Sequence, residues 1–479
     1  MPPEVAVPAP STPVELARAL GLSATVAGVL WQRGHRDLEA TRRFLEPKLS
    51  ELTRPEAMAD RDVAATRLAT ALRQGEAICV FGDYDCDGIT STAILTEALR
   101  ILGGTVHPLL ASRFHGGYGV SAQAVERILA TQAPLVVTCD CGTSDHASLR
   151  ELVRQGREVI VIDHHLIPDE PLPAIAFLNP HREDCGFAYK NMSSCGLVLS
   201  VVGAVRKALG ATLDLQQWLD LVAIGTVADV VPLDGDNRAM VRAGLRRLGE
   251  RARPGLAALM DLLRLGQGAP LTSQDIAFRI APRLNAPGRV GSPEPALELL
   301  LARSVTEGNA AAARVEQLQN ERKRVQETIL AEALRDVEQL NLAERGAIVV
   351  GREGWNHGIV GIVAGRLSDT FKRPVVVVGF DGGVGRGSVR GPAGARLHDA
   401  LTRCAGHLER FGGHQAAAGL DLRVERLEEF RSAFERVCEE LCPRSGTTER
   451  GETGDAVGLA EGDALQRVHA DLERLEPFG

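Results

Sequence analysis

The chain has 479 residues, 44% hydrophobic and 24% charged, and its 54 Lys+Arg against 62 Asp+Glu give a formal net charge of −8. That composition excludes a disordered, fibrous or membrane-embedded chain and any global basic field for nucleic acid, though not a carboxylate metal site whose charge is neutralised by bound cations. At roughly 100 to 200 residues per domain the length predicts two to four domains.

The Pro-rich start MPPEVAVPAPSTP lacks the basic residues and apolar run of a signal peptide, and no stretch reaches the roughly 18 apolar residues of a membrane span, so a cytoplasmic protein with no membrane contact is expected. The nine cysteines include no C-x-x-C pair, and Cys139/Cys141 and Cys438/Cys442 are the nearest approach to one. Reduced core thiols are expected rather than disulfides or a structural zinc. Lysine stands only at positions 48, 190, 207, 323 and 372, so arginine, whose fork suits phosphate, supplies nearly all the basic charge.

After a tail over residues 1–13, residues 14–76 read as a helical lead-in, with LARALG, LEATRRFL and DVAATRLATALRQG spaced at helical period. From residue 77 the period changes. AICVFG (77–82), LVVTCD (135–140) and EVIVID (158–163) are short β-rich runs alternating with helix-like segments such as TAILTEALRIL and AQAVERILA. The alternation predicts an α/β domain over 77–245 with a parallel sheet covered by helices. Residues 246–345 read as mostly helical, ending in a long amphipathic connecting helix over about 302–340. From 346 to about 445 the pattern returns as a smaller α/β domain: strand AIVVG, helix IVGIVAGRL, strand PVVVVGF, a Gly-rich turn DGGVGRGSVRG, then helices around FGGHQAAAG (411–419). Residues 446–479 read as a tail.

Three β-runs end in acidic or His-bearing segments, where open α/β sheets collect their ligands. Asp83, Asp85 and Asp87 follow the first, Asp140 the second, and Asp163-His164-His165 the third; Asp229 lies in the apolar segment DLVAIGTVADVVPL, where a lone carboxylate is costly unless paired or on a metal. In extended backbone the three early aspartates would share one side. The string D-x-D-x-D-G also opens a calcium loop, but that reading fails: position 12 is Ile94 rather than Glu, and a buried strand precedes it. Gly88 is expected to turn the chain into a helix 89–100 with Thr90 and Ser91 at its N-terminus, as caps or, alternatively, on phosphate. His164 and His165, on opposite faces of extended chain, are expected in different roles: His164 on metal, and His165 near phosphate or supporting the metal ligands from behind, with Asp163 orienting one imidazole. Carboxylates mixed with imidazole suit Mn²⁺ or Mg²⁺. Two such ions about 3.5 to 4 Å apart would activate a water for in-line displacement, so the reaction class is phosphoester hydrolysis.

These residues carry a resemblance. GDYDCDG (82–88), GYG (117–119), TCDCG (138–142), IDHH (162–165), GTVADVVPL (225–233), RLNAPGR (283–289), WNHGIVGIVAGRL (355–367) and FGGH…AAG (411–419), with RFLEP (43–47) before them, resemble the DHH phosphoesterase superfamily and, within it, the RecJ-type exonucleases. The resemblance implies an N-terminal DHH domain, a long connecting helix and a DHHA1 domain around a cleft, with 5′→3′ hydrolysis of single-stranded DNA to mononucleotides in recombination and repair. It implies a monomer, with single-strand-binding protein and a RecQ-type helicase as partners. It places Asp85, Asp87, Asp140, His164 and Asp229 on metal, with Asp83 and His165 in close catalytic support. It also puts Arg113 and Tyr118 in a substrate-facing loop, and Arg289, Ser388, Arg390 and His414 on terminal phosphate and backbone.

Some positions depart from the family pattern. Cys86 and Cys139 bring thiols beside the site, which implies sensitivity to soft metals or oxidation; MSSCG (192–196) and GRGSVRG (385–391) differ from the usual residues; and the chain stops at LEPFG, where bacterial relatives continue into an OB fold. A DHH phosphodiesterase for short oligonucleotides or small nucleotides is the alternative activity, and a silent nucleic-acid-binding scaffold a third reading.

Overall fold

The structure, a computed structural model, describes residues 10–342, 345–413, 415, 417–441 and 458–478. It divides into two compact units, Met1–Asn285 with Glu294–Ala313 and Arg450–Gly479, and Ala286–Pro293 with Arg314–Glu449. The 35-residue helix Val305–Gln339 runs from one into the other.

The first unit holds a five-stranded parallel sheet of β1 (Ile78–Gly82), β2 (Val106–Leu110), β3 (Leu135–Cys139), β4 (Glu158–Ile162) and β5 (Ala176–Leu178), in the order β2-β1-β3-β4-β5. Its apolar runs are continuous because both faces are covered. Cys79, Phe81, Val136, Val159 and Val161 pack with Val125, Ile128, Leu149 and Leu152, while Ile78, Val80, Val137 and Ile160 point to the other face and are equally buried. β2, which the hydropathy pattern does not single out, carries Pro108; a residue without an N–H is tolerated there because β2 is an edge strand. The chain leaves β1 to one side as β2 and returns to the other as β3, and that reversal opens a crevice at the strands' carboxyl ends.

Residues expected to form a C-terminal tail are in part a packed element. The helix Leu465–Glu473 brings Val468, with Leu475 beyond it, into one cluster with Leu16, Leu22, Val26, Leu30, Leu38 and Leu45 of the N-terminal helices. Asp471 accepts the N–H of Ser23 at 2.7 Å, and the buried Arg238 guanidinium donates to the carbonyls of Phe44, Leu475, Glu476 and Pro477. Of the two expected tails, residues 1–9, 446–457 and 479 lie outside the described residues, as do 442–445 of the second α/β domain.

The second unit has a mixed sheet, β6 (Ile348–Glu353), β7 (Val375–Asp381), β8 (Val384–Arg390), β9 (Arg410–Gly413) and β10 (Ala417–Arg423), in the order β6-β7-β8-β10-β9; β6 and β7 are parallel and the remaining pairs antiparallel. Two expectations are corrected here. The Gly-rich stretch 381–391 turns only at Gly382-Gly383, φ 58° and 84°, and continues as strand β8, and most of the described residues of 411–419 are strand rather than helix. Glycines in β8 answer to packing: a Cβ on Gly385 would meet the Phe380 ring at 2.5 Å, and one on Gly387 the Leu420 side chain at 2.9 Å. Helices Val360–Phe371 and Leu427–Leu441 contribute to separate clusters with the sheet.

Candidate metal centre

The first unit gathers its acidic residues at the carboxyl ends of β1, β3 and β4, beside the reversal between β1 and β3. Backbone bonds continue the ladder past the last strand residues: Asp83 N–H donates to Cys139, Asp140 N–H to Ile162 and Asp163 N–H to Leu178. Each strand thus delivers a carboxylate to the same edge. Asp83, Asp140 and Asp163 are nearly fully buried.

The early aspartates do not share one extended face. The helix Cys86–Ile101 begins sooner than its sequence suggests, and Asp85 is its cap, with Oδ1 accepting the N–H of Asp87 and Gly88 at 3.1 and 3.2 Å. Thr90 and Ser91 lie inside the helix, and the Thr90 hydroxyl is spent on the carbonyls of Cys86 and Asp87. Asp83 therefore lies before the turn, Asp85 in it and Asp87 on the first turn of helix. Gly88 lets the chain close on itself, since a Cβ there would lie 2.5 Å from the Asp83 carbonyl oxygen.

Three overlapping sets offer ligand atoms within 4.8 Å of one another: Asp83, Asp85 and Asp140; Asp87, His164 and Asp229; Asp140, His164 and His165. All seven expected catalytic residues fall in these sets. His164 Nε2 lies 3.4 Å from Asp140 Oδ1 and 3.4 Å from Asp229 Oδ2, and His165 Nδ1 is 4.0 Å from Asp140 Oδ1. The two histidines converge instead of diverging, because the chain leaves β4 at Ile162 and no longer alternates faces; their ring centroids are 4.8 Å apart. Asp163 orients His165, accepting its Nδ1–H at 2.7 Å while also taking the backbone N–H of His164, His165 and Thr143.

The electrostatics of the metal-free centre are those of charges awaiting a partner. Burial raises the carboxyl of Asp140, and the charges of Asp87 and Asp85 raise it further. Burial with the neighbouring Asp85 does the same for Asp83. Asp229 is pushed up to about 8 by burial and by Asp87 and Asp85. Asp163 is the exception: burial opposes its charge, but the hydrogen bonds and charge of His165 and the Thr143 N–H hold it at about 2. Burial alone would lower His165; the Asp163 bond and charge outweigh it and lift the imidazole to about 9. His164 is lowered, chiefly by burial. Asp83 Oδ1 and His164 Nε2 are buried without a hydrogen-bond partner. Crowded hard carboxylates, raised affinity for protons and orphaned ligand atoms together fit divalent cations.

Sequence reasoning missed the support beneath this set. The helix Ser194–Leu209 points its N-terminus at Asp87, whose Oδ2 and Oδ1 accept the N–H of Ser194 and Cys195 at 2.7 and 2.9 Å, and the Ser194 hydroxyl donates to Asp140 Oδ1 at 3.0 Å. The only signal was that MSSCG departs from an apolar pattern. Cys86 and Cys139 do lie beside the set and are buried: Cys86 Sγ donates to the Ala281 carbonyl at 3.4 Å, and burial holds the Cys139 thiol protonated, which works against the expected reactivity.

Arg113 stacks its guanidinium 3.8 Å from the Tyr84 ring centroid, and the Tyr118 hydroxyl reaches the Asp140 carbonyl at 3.4 Å and His165 Nδ1 at 3.2 Å. In the second unit Arg289 donates to the Gly358 carbonyl at 3.3 Å. A Cβ on nearby Gly361 would lie 3.0 Å from Ser388 Oγ and 3.4 Å from Arg390 Nη2. These three side chains therefore border residues 358–361, at the start of the helix Val360–Phe371. His414 lies outside the described residues.

Residues 77–226 match the DHH family N-terminal domain and residues 344–440 the DHHA1 domain. The single-stranded-DNA-specific exonuclease RecJ of Dickeya dadantii is 38% identical, over 84% of this chain and 73% of its own length. The chain belongs to the RecJ family. The RecJ of Bacillus subtilis is 35% identical over 97% of this chain, which spans 58% of that relative's length. Solved structures of the RecJ of Thermus thermophilus share the fold: the Mn²⁺ complex at a TM-score of 0.81 and 33% identity, covering 99% of this chain and 67% of that one, and the Mg²⁺ complex at 0.75 and 30%, covering 99% and 65%. The RecJ family thus includes a protein with structures holding each of the two cations that the donor set here fits. Among the described residues no single helix is long and apolar enough to cross a membrane.

Proposed function

We propose that this chain is a divalent-metal-dependent exonuclease that degrades single-stranded DNA from its 5′ end to mononucleotides, in DNA recombination and repair in the cytoplasm. The observation that carries this reading is the convergence of Asp83, Asp85, Asp87, Asp140, His164, His165 and Asp229 into overlapping sets at one sheet edge.

Asp85, Asp87, Asp140, His164 and Asp229 would hold the cations, with Asp83 completing the carboxylate set. Bound Mn²⁺ or Mg²⁺ lowers the pKa of a water and neutralises charge that develops on a phosphoryl group. The protein's own part is to fix geometry. The N-terminus of the helix Ser194–Leu209 locks Asp87, Ser194 holds Asp140, and Asp163 fixes His165 so that its other ring nitrogen can donate an N–H to a phosphoryl oxygen. Tyr118 and Arg113 supply polar and cationic contacts for the strand. Arg289, Ser388 and Arg390 have the guanidinium and hydroxyl donors that grip a terminal phosphate, and His414 is assigned there by resemblance alone. Single-strand-binding protein and a RecQ-type helicase are the partners that the family implies, with the chain acting as a monomer.

The test is digestion with Mn²⁺ of a single strand blocked at one end or the other. Mononucleotides should appear from the 3′-blocked strand and not from the 5′-blocked one. Release from the opposite end, preference for dinucleotides over long strands, or release that persists in chelator would reject the reading.

A further inference from the structure

Only four of the described aromatic side chains are exposed: Phe114, Tyr118, Phe278 and Phe478. Two of them belong to the loop beside Asp140. Phe278 is the most open of the four, at 76% relative exposure, although Ile276 and Ile280 on either side of it are fully buried.

Its backbone explains how. Ile276–Ile280 forms a single π-helical turn, a rare element that reaims side chains and recurs at functional sites. That turn packs against the helix Leu219–Ala228, which ends at Asp229. It leads directly into Ala281, whose carbonyl is held by Cys86 Sγ between Asp85 and Asp87. Phe278 is three residues before Ala281 in the chain.

Val230 repeats the pattern. It follows Asp229, is 86% exposed, and holds φ at 60°, a region in which a β-branched residue is strained. Two apolar side chains on segments that adjoin the carboxylate-bearing chain are thus turned to solvent, where burial would have been the cheaper fate.

We propose that Phe278, with Val230 beside Asp229, is a nucleobase platform for the strand held at the metal centre, an inference that rests on the single-strand reading above. Every base has a π-face, so such a platform grips a strand without reading its sequence. The two side chains act on position only and take no part in bond cleavage.

The test compares a 5′-phosphorylated oligothymidylate with a strand of equal length in which all nucleotides beyond the first two are abasic. Binding is read by fluorescence anisotropy on phosphorothioate-linked, hydrolysis-resistant versions with Mg²⁺, and turnover on the cleavable ones. Phe278→Ala should weaken binding of the base-bearing strand about 5- to 150-fold, raise its KM with kcat unchanged, and leave the abasic strand unaffected. Phe278→Trp should restore binding. Val230→Gly should melt at or above the parent and weaken only the base-bearing strand. Equal loss on both strands, or no loss on either, overturns the proposal. If base-dependent binding holds and neither strand is cleaved by the parent protein, the platform stands and the exonuclease reading falls.

Discussion

The Ser194 hydroxyl donates to Asp140 Oδ1 at 3.0 Å, from the first residue of a helix whose backbone N–H groups hold Asp87. One helix end therefore sets the orientation of two candidate ligands that arrive from different parts of the sheet. Ser194→Ala should leave the fold intact and weaken Mn²⁺ affinity about 10-fold or more, as loss of a group that orients a metal-binding carboxylate does. Isothermal titration with Mn²⁺ checks this, and unchanged affinity would remove Ser194 from the site's support.

Asp140 adopts φ 62°, uncommon for a residue with a side chain, and its charge is opposed by burial and by Asp87 and Asp85. Asp140→Asn keeps the shape and removes the repulsion. Turnover should be lost while the metal-free variant melts a few degrees above the parent, about 1 kcal/mol at this domain size. Added Mn²⁺ should raise the melting temperature of the parent and not of the variant. Retained metal-dependent cleavage would exclude Asp140 from catalysis.

In the metal-free protein, pH dependence follows from Asp229 and His165. Asp229, at about 8 when folded against an ordinary value of 3.8, takes up a proton on folding between those limits, so its share of stability grows as pH falls through 8. His165, raised to about 9 from 6.5, contributes stability that is complete below 6.5 and lost as pH rises through 9. Both act in one direction. His164, which is lowered, acts the other way near its ordinary 6.5, but the unfolded chain loses that proton above this value, and the two groups together outweigh it. The metal-free melting temperature should therefore fall between pH 6.5 and 9, and the increment from Mn²⁺ should grow over the same range as its ligands lose their protons. A flat or rising melting profile in chelator would contradict this.

Gly225 lies under the centre. A Cβ there would approach Cys195 Sγ at 2.6 Å and Asp87 Oδ1 at 2.9 Å. Gly225→Ala should cost about 1–3 kcal/mol by overpacking and weaken Mn²⁺ binding as well, because the displaced atoms include a candidate ligand. Denaturant unfolding measures the first and titration the second; a loss of stability with metal affinity intact would make the glycine a packing residue alone.

Much of this centre was legible in the sequence because strand period is short-range. A buried parallel strand must be a continuous apolar run, so the acidic residues that end three such runs had to lie at one sheet edge. The helix that caps Asp87 was illegible for the opposite reason. Ser194 lies 107 residues from Asp87 in sequence, and nothing local marks a backbone N–H as a carboxylate's partner. The second unit misled the reading at 411–419, where small residues lack a clear period and the partner strand decides the structure.

Local chemistry, then, determined which residue types carry function: carboxylates and imidazoles ending β-runs, and arginines beside glycine turns. Tertiary structure decided what those types become. It placed Asp85 as a cap, turned His164 and His165 toward the same aspartate, and folded the C-terminal helix onto the N-terminal ones. The reason is physical: a side chain's role depends on charges and hydrogen-bond partners that long-range packing brings within a few ångströms, and sequence neighbours do not specify those.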